Sequence, residues 1–248
     1  MMRFGVAGKG GTGKTTLAAL IVIGLLRNNH KPVLAIDADP NSNFAETLGV
    51  PAPRNLVESV DEVTKNKYSI PSGMDKVQYL EFQIREAIVE DEGFDLLVMG
   101  KTEGPGCYCY SNHLLREYME KLQQNYSFVV LDNEAGLEHL SRRTTRQLDI
   151  LFITALPDRI SLTSAQRICE MTEKLEIEIG EIKPVLNEYG KHFSNPFYTS
   201  SPLPVFFTLP FDNEIWQRSC TGKGLMDIPE DSSAYQAVLN NLKKILRN

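Results

Sequence analysis

An excess of positive charge is missing from this chain, whose formal net charge is −6. A general nucleic-acid binder needs a basic surface to displace counterions, so that class is set aside, although a local basic patch is still allowed. Long apolar runs are missing too. The longest, over 17–26, falls short of the roughly 20 residues that cross a bilayer. It follows a Gly-rich stretch rather than a basic start and no cleavage site follows it, so it does not read as a signal peptide. The expected location is cytoplasmic, with no membrane or nucleic-acid partner. Cysteine is sparse. In a reducing compartment Cys107, Cys109, Cys169 and Cys220 read as thiols or metal ligands rather than structural disulfides. Internal repeats and low-complexity tracts are absent.

What is present is an ordinary globular composition, 42% hydrophobic and 23% charged over 248 residues. That is enough to bury a full core in one domain spanning 1–248. Apolar periodicity predicts strands over 3–7, 32–36, 94–99, 127–131, 150–154, 182–186 and 205–209. It predicts helices over 14–28, 74–90, 112–124, 160–175 and 232–246. Such alternation implies βαβ units, hence an α/β fold with a doubly wound, mainly parallel sheet flanked by helices. Continuously apolar strands fit a sheet covered on both faces. The polar, Pro/Ser/Asn-containing stretch 187–204 reads as a long loop.

One motif dominates. Gly8-Lys9-Gly10-Gly11-Thr12-Gly13-Lys14-Thr15-Thr16 follows a strand and opens a helix. Glycines let backbone N–H groups approach phosphate oxygens, and a helix N-terminus adds partial positive charge. Gly8, Gly10 and Gly13 also satisfy the dinucleotide pattern G-x-G-x-x-G, and Asp37 sits where a ribose-binding acid would be. The ending Gly13-Lys14-Thr15 decides between them. A triphosphate needs a lysine for its β- and γ-phosphates and a hydroxyl for Mg²⁺; a dinucleotide turn needs neither. The reading is a P-loop for ATP or ADP, with Gly10, Gly11, Thr12, Gly13, Lys14, Thr15 and Thr16 as nucleotide contacts and Thr15 on Mg²⁺.

Lys9, early in that loop, makes the chain resemble the deviant Walker A group of P-loop ATPases. The group includes the nitrogenase iron protein, the arsenite-pump ATPase, MinD-type proteins and metal-insertion ATPases. The resemblance implies a homodimer in which Lys9 reaches the partner's nucleotide, where a cation stabilises charge developing on the γ-phosphate. Taken by itself, Lys9 also fits a solvated loop lysine. Acids at the C-terminal ends of strands point into the crevice of such a sheet. Within Ala35-Ile36-Asp37-Ala38-Asp39-Pro40-Asn41, the resemblance makes Asp39 the group that orients the attacking water, with Asp37 nearer the metal. Asp39-Pro40 could equally be an Asx-type cap. Asp132-Asn133-Glu134-Ala135-Gly136 resembles switch II, implying that Asp132 holds Mg²⁺ through water and that the Gly136 N–H senses the γ-phosphate. Asn187, which could also be a plain turn residue, and Pro210 are implied adenine contacts. With Lys9, Lys14 and Asp39 the set of catalytic candidates is complete.

Gly104-Pro105-Gly106-Cys107-Tyr108-Cys109 is the second informative stretch. In an extended segment alternate residues point opposite ways, so one Cys-x-Cys is not a closed tetrahedral site. A two-fold axis would double it, because an isologous contact brings one patch against itself. Four thiolates suit Zn²⁺ as a tetrahedron or Ni²⁺ in a square plane. Two unrelated thiols, or a redox dithiol, are the alternatives. Residues 101–109 together with Asp132-Asn133-Glu134-Ala135-Gly136-Leu137-Glu138-His139-Leu140-Ser141-Arg142 resemble the CooC-type nickel-insertion ATPases, from the first strand to the last helix. That resemblance implies a metal, Ni²⁺ or Zn²⁺, bound by Cys107 and Cys109 between subunits, and a client, carbon monoxide dehydrogenase or acetyl-CoA synthase. Cys169 and Cys220 are expected to be structural, and His113 and His139 are not taken as ligands. The competing reading is a MinD-like switch whose C-terminal helix, with Tyr235, Val238, Leu239, Leu242, Ile245 and Leu246 on one face, lies on a membrane. Packing of that face on the sheet is the expected outcome. A kinase or GTPase is disfavoured, since no N-K-x-D-type signature or acceptor lid is found.

Overall fold

A computed structural model describes residues 1–56, 70–100, 109–134, 145, 147–173, 177–188 and 203–247; for residues 76, 80, 109–114 and 116 it describes the backbone alone. In chain order the elements are β1 (Met2–Gly8), α1 (Lys14–Arg27), β2 (Val33–Ala38), α2 (Phe44–Leu48), α3 (Lys76–Glu86), β3 (Ile88–Asp91) and β4 (Phe94–Val98). There follow α4 (Cys109–Gln123), β5 (Phe128–Asn133), β6 (Gln147–Ala155), α5 (Arg159–Thr172), β7 (Glu178–Asn187), β8 (Phe207–Leu209), α6 (Asn213–Thr221) and α7 (Ser233–Ile245). The strands form one sheet in the order β3-β4-β2-β5-β1-β6-β7-β8. Every pairing is parallel except the β3–β4 hairpin. This is the expected doubly wound, mainly parallel α/β fold.

Strand residues alternate between two cores, as the two-residue repeat of a strand requires. Phe4, Val6, Val33, Ala35, Phe94, Leu96, Val130 and Phe152 face α1 and α7. Leu34, Ile36, Leu97, Val129, Leu131, Leu151 and Ile153 face the side of α3, α4 and α5. α1 is apolar nearly all round, and every residue from Leu17 to Leu25 is buried. Such a helix needs cover on two sides: the sheet supplies one and α7 the other. Gly24 marks the contact, since a Cβ there would lie 2.9 Å from Leu242 Cδ1. The apolar face of α7, with Tyr235, Val238, Leu239, Leu242 and Ile245, is therefore buried. No described helix is long and apolar enough to cross a membrane.

Several boundaries differ from the expectation. The helix expected over 74–90 starts after the Asp75–Gln78 capping box and stops at Glu86. Its tail becomes the edge strand β3, because Ile88 and Val89 are β-branched and Gly93, at φ 88°, closes a two-residue hairpin onto β4. The helix expected over 112–124 begins at Cys109. Two short helices, α2 and α6, were not foreseen. Most of the expected 187–204 loop lies outside the described residues.

Candidate active site

The turn between β1 and α1 is held open toward solvent and closed from beneath. Position 8 requires glycine twice over: its φ is 149°, and a Cβ there would meet the Thr154 carbonyl oxygen at 2.5 Å and Thr12 Oγ1 at 2.9 Å. Gly13 adopts φ 86°, and a Cβ there would fall 2.3 Å from Asn187 Nδ2. The Thr12 hydroxyl is 2.7 Å from the Lys9 carbonyl oxygen, to which it donates, and 2.7 Å from Thr154 Oγ1. Asn187 Nδ2 donates to the Thr12 carbonyl at 3.0 Å. Thr12 is thus a buried strut, its hydroxyl turned into the loop rather than toward a ligand. Asn187 is a latch that ties the loop to the end of β7, an arrangement that spacing in the sequence could not reveal.

α1 starts at Gly13 without a side-chain cap and carries no acid in its first turn. Its orphan N–H groups and positive dipole end face a cavity of about 430 Å³, walled here by Gly10, Gly11, Gly13, Lys14, Thr15 and Thr16. Lys14 is buried. This combination attracts an anion.

Two carboxylates stand below the loop. β2 and β5 pair in register with Asp37 opposite Asp132, so neighbouring strands deliver both acids to one point at their C-terminal ends. Asp37 is fully buried and accepts from the Asp39 and Phe44 backbone N–H groups, each at 3.0 Å. Burial lifts its pKa to about 6, with those two hydrogen bonds opposing the rise. Asp132 is more exceptional. Burial lifts its pKa to about 7; the Thr15 hydroxyl and Lys14 oppose that, while the charge of Asp37 adds to it. Among the described residues no donor meets either Asp132 oxygen at hydrogen-bond distance and angle. An ionised carboxylate stranded in this way is costly unless a cation balances it. Oxygen ligands beside a triphosphate site suit Mg²⁺. Asn133, next in the strand, donates to the Val6 and Leu131 carbonyls at 3.0 and 3.3 Å and clamps β5 to β1.

The remaining candidates separate. Asp39 lines the cavity. Its Oδ1 also accepts from the Asn41 backbone and side-chain amides, both at 2.9 Å, so the Asx-type turn is present as well. Lys9 is exposed and is not among the residues lining the cavity. Asn187, beside the loop, and Pro210 also line the cavity. Gly136 and Cys107 lie outside the described residues, and of Cys109 only the backbone is described, as the first residue of α4. The Cys-x-Cys pair thus meets a helix start, not a wholly extended segment. Cys169 is half-buried and Cys220, expected to be structural, is exposed on α6; both are free thiols. Among the described residues no group of three or more His, Cys, Asp or Glu side chains gathers as a metal would require.

Ile215, Trp216 and Ser219 of α6 and Asn41 and Asn43 before α2 also line the cavity. None was foreseen. The available signal was capping: Asp212 accepts from the Glu214 and Ile215 N–H groups and Gly222 ends α6 at φ 67°, a start-and-stop pair legible in principle.

A family model described as an AAA domain matches residues 6–184. An uncharacterized ATP-binding protein of Methanocaldococcus jannaschii is 38% identical, with 99% of this chain and 98% of that protein covered. The carbon monoxide dehydrogenase accessory protein CooC of Rhodospirillum rubrum is 29% identical over 92% of this chain and 90% of its own. Among solved structures, the septum site-determining protein MinD of Pyrococcus horikoshii, complexed with Mg-ADP, superposes with a TM-score of 0.67 at 19% identity, covering 98% of this chain and 95% of that one. At that identity the likeness speaks for the fold alone. The extent of the family match and the near full-length relative agree with the loop, the sheet and the paired acids: the chain belongs to the AAA domain family.

Proposed function

We propose that residues 1–248 act as one domain that binds ATP with Mg²⁺ and hydrolyses it to ADP and phosphate. One observation carries this reading. A single site opposes an uncapped helix N-terminus bearing Lys14 to a buried Asp132 that has no donor among the described residues. The first attracts phosphate and the second a cation. Backbone N–H groups of Gly10, Gly11, Gly13, Lys14, Thr15 and Thr16 cradle the phosphates and Lys14 adds its charge, while Thr12, whose N–H donates to the Lys9 carbonyl at 3.3 Å, shapes the loop instead of touching the ligand. Thr15 and Asp132 would hold Mg²⁺, with Asp37 next to it. The metal supplies charge neutralisation on the β- and γ-phosphate oxygens. Asp39 orients a water toward the γ-phosphorus; the bond from that phosphorus to the ADP oxygen breaks as the new P–O bond forms. The Gly136 N–H senses the γ-phosphate, while Asn187 and Pro210 border the base. Asp39→Ala should bind ATP as the parent does yet turn over at least roughly tenfold more slowly. Unchanged turnover would remove Asp39 from the mechanism.

The finer reading is nickel delivery. ATP draws two copies together, the exposed Lys9 of each reaches the other's γ-phosphate, and Cys107 and Cys109 of both copies bind Ni²⁺, or Zn²⁺, as cargo for carbon monoxide dehydrogenase or acetyl-CoA synthase. The near full-length similarity to the CooC accessory protein supports it, as does the Cys-x-Cys pair itself. Metal analysis of anaerobically purified protein, with and without ATP, tests it. A Cys107→Ser, Cys109→Ser double variant that still held one nickel per dimer would overturn the thiolate site. The fold is equally compatible with the MinD-like alternative. The burial of α7's apolar face against α1 counts against α7 as a membrane anchor. Sedimentation with liposomes in the presence of ATP separates the two.

A further inference from the structure

Trp216 is the chain's one tryptophan. It lines the cavity and is nevertheless 43% exposed, so a large flat apolar surface of the wall that α6 contributes stands open. The helix that carries it is firmly placed. Asp212 caps α6 through the Glu214 and Ile215 N–H groups and ties it to α7 by accepting from the Ser232 and Ser233 hydroxyls and the Ala234 N–H. Burial pushes the Asp212 pKa up, but those hydrogen bonds outweigh it and hold the group below its ordinary value. The polar side chains around Trp216 are engaged internally. Asp212 has five donors, the Ser219 hydroxyl donates to the Trp216 carbonyl at 2.8 Å, and Arg218 is held by Glu214, Asp227 and the Gly224 carbonyl. What this end offers a ligand is an aromatic and aliphatic wall: Leu209, Pro210, Ile215 and Trp216.

A ligand with an anionic tail and a flat apolar head can enter such a cavity in one direction only. We propose that the Trp216 indole stacks on the nucleobase and closes the base end of the site. This rests on the nucleotide reading given above. Stacking, rather than a ring of hydrogen bonds, then supplies most of the affinity for the base, because the nearby polar groups are already paired. The placement also explains why a tryptophan is tolerated half-open on a surface helix: its free face is covered when the site is filled.

The emission of the sole tryptophan reads this directly. Adding Mg²⁺ and ATP to the full chain should shift or quench it. By calorimetry Trp216→Ala should bind ATP roughly 5- to 100-fold more weakly, the range expected for loss of one base–aromatic stack. Trp216→Phe should restore affinity to within a factor of roughly three, while Trp216→Leu, apolar but without a π face, should not. If the parent binds ATP with unchanged emission, or if the alanine variant binds it equally well, the stacking role is overturned and the nucleotide reading stands. If the parent binds no ATP, both fall together. If phenylalanine fails to restore binding in a variant whose circular dichroism matches the parent, the indole acts by something other than stacking and the proposal is wrong.

Discussion

Asp132 and Asp212 are two acids with opposite fates, and each gives a prediction at the scale of the single residue. Asp132 is buried with no donor among the described residues, so its charge opposes folding of the nucleotide-free protein. Asp132→Asn is nearly isosteric and uncharged. It should leave the melting temperature of the nucleotide-free protein unchanged or raise it, while largely abolishing the further rise that Mg²⁺ with ATP gives the parent. Differential scanning fluorimetry with ATP, with and without Mg²⁺, decides it; a variant that keeps the full Mg²⁺ effect would take Asp132 out of the metal site. Asp212 has the reverse sign. Its folded pKa lies below the unfolded value, so its contribution is complete above about pH 4 and is lost as pH falls through the folded pKa. Asp212→Ala should cost about 1–2 kcal/mol at neutral pH, as lost caps do, and that difference should shrink toward pH 3. Urea unfolding at the two pH values measures it.

Elements show where the sequence could be read and where it could not. β1, β2, β4, β5 and β6 were legible because a strand buried on both faces is an uninterrupted apolar run, and α1 because Gly13 and Lys14 mark its start. β3 was not, because Ile88 and Val89 continue the helical pattern of α3 and only the antiparallel pairing with β4 makes them a strand. α2 is five residues long and depends on a tertiary bond, Asp37 accepting from the Phe44 N–H. The phosphate loop could be read from residue type and spacing, and Asp37 and Asp132 from their place at the ends of apolar strands, with their roles implied by the family resemblance. The latch from Asn187 and the α6 wall could not, because their partners are up to 175 residues away or depend on how β8 and α6 dock. α2 also meets the 222–228 segment at close range: a Cβ on Gly224 would lie 2.2 Å from Gly49 Cα, and Leu225 and Met226 donate to the Thr47 and Leu48 carbonyls at 2.8 and 3.2 Å. Gly224→Ala should therefore cost about 1–3 kcal/mol by forcing two backbones apart. Because α2 hangs from Asp37, it should also weaken nucleotide binding, which an exposed substitution of equal thermal cost should not do.

At the scale of the molecule, the phosphate loop is held by strands that come much later in the chain. Its floor is Thr154 on β6 and its latch is Asn187 on β7, and both grip Thr12 near the start of the chain. A ribosome-bound chain that has emerged only as far as β5 already contains the complete loop sequence and both switch acids, yet it lacks the two braces that give the loop its shape. Nucleotide affinity is consequently a late acquisition during synthesis. On the proposed nucleotide reading it would arrive only when β6 and β7 dock.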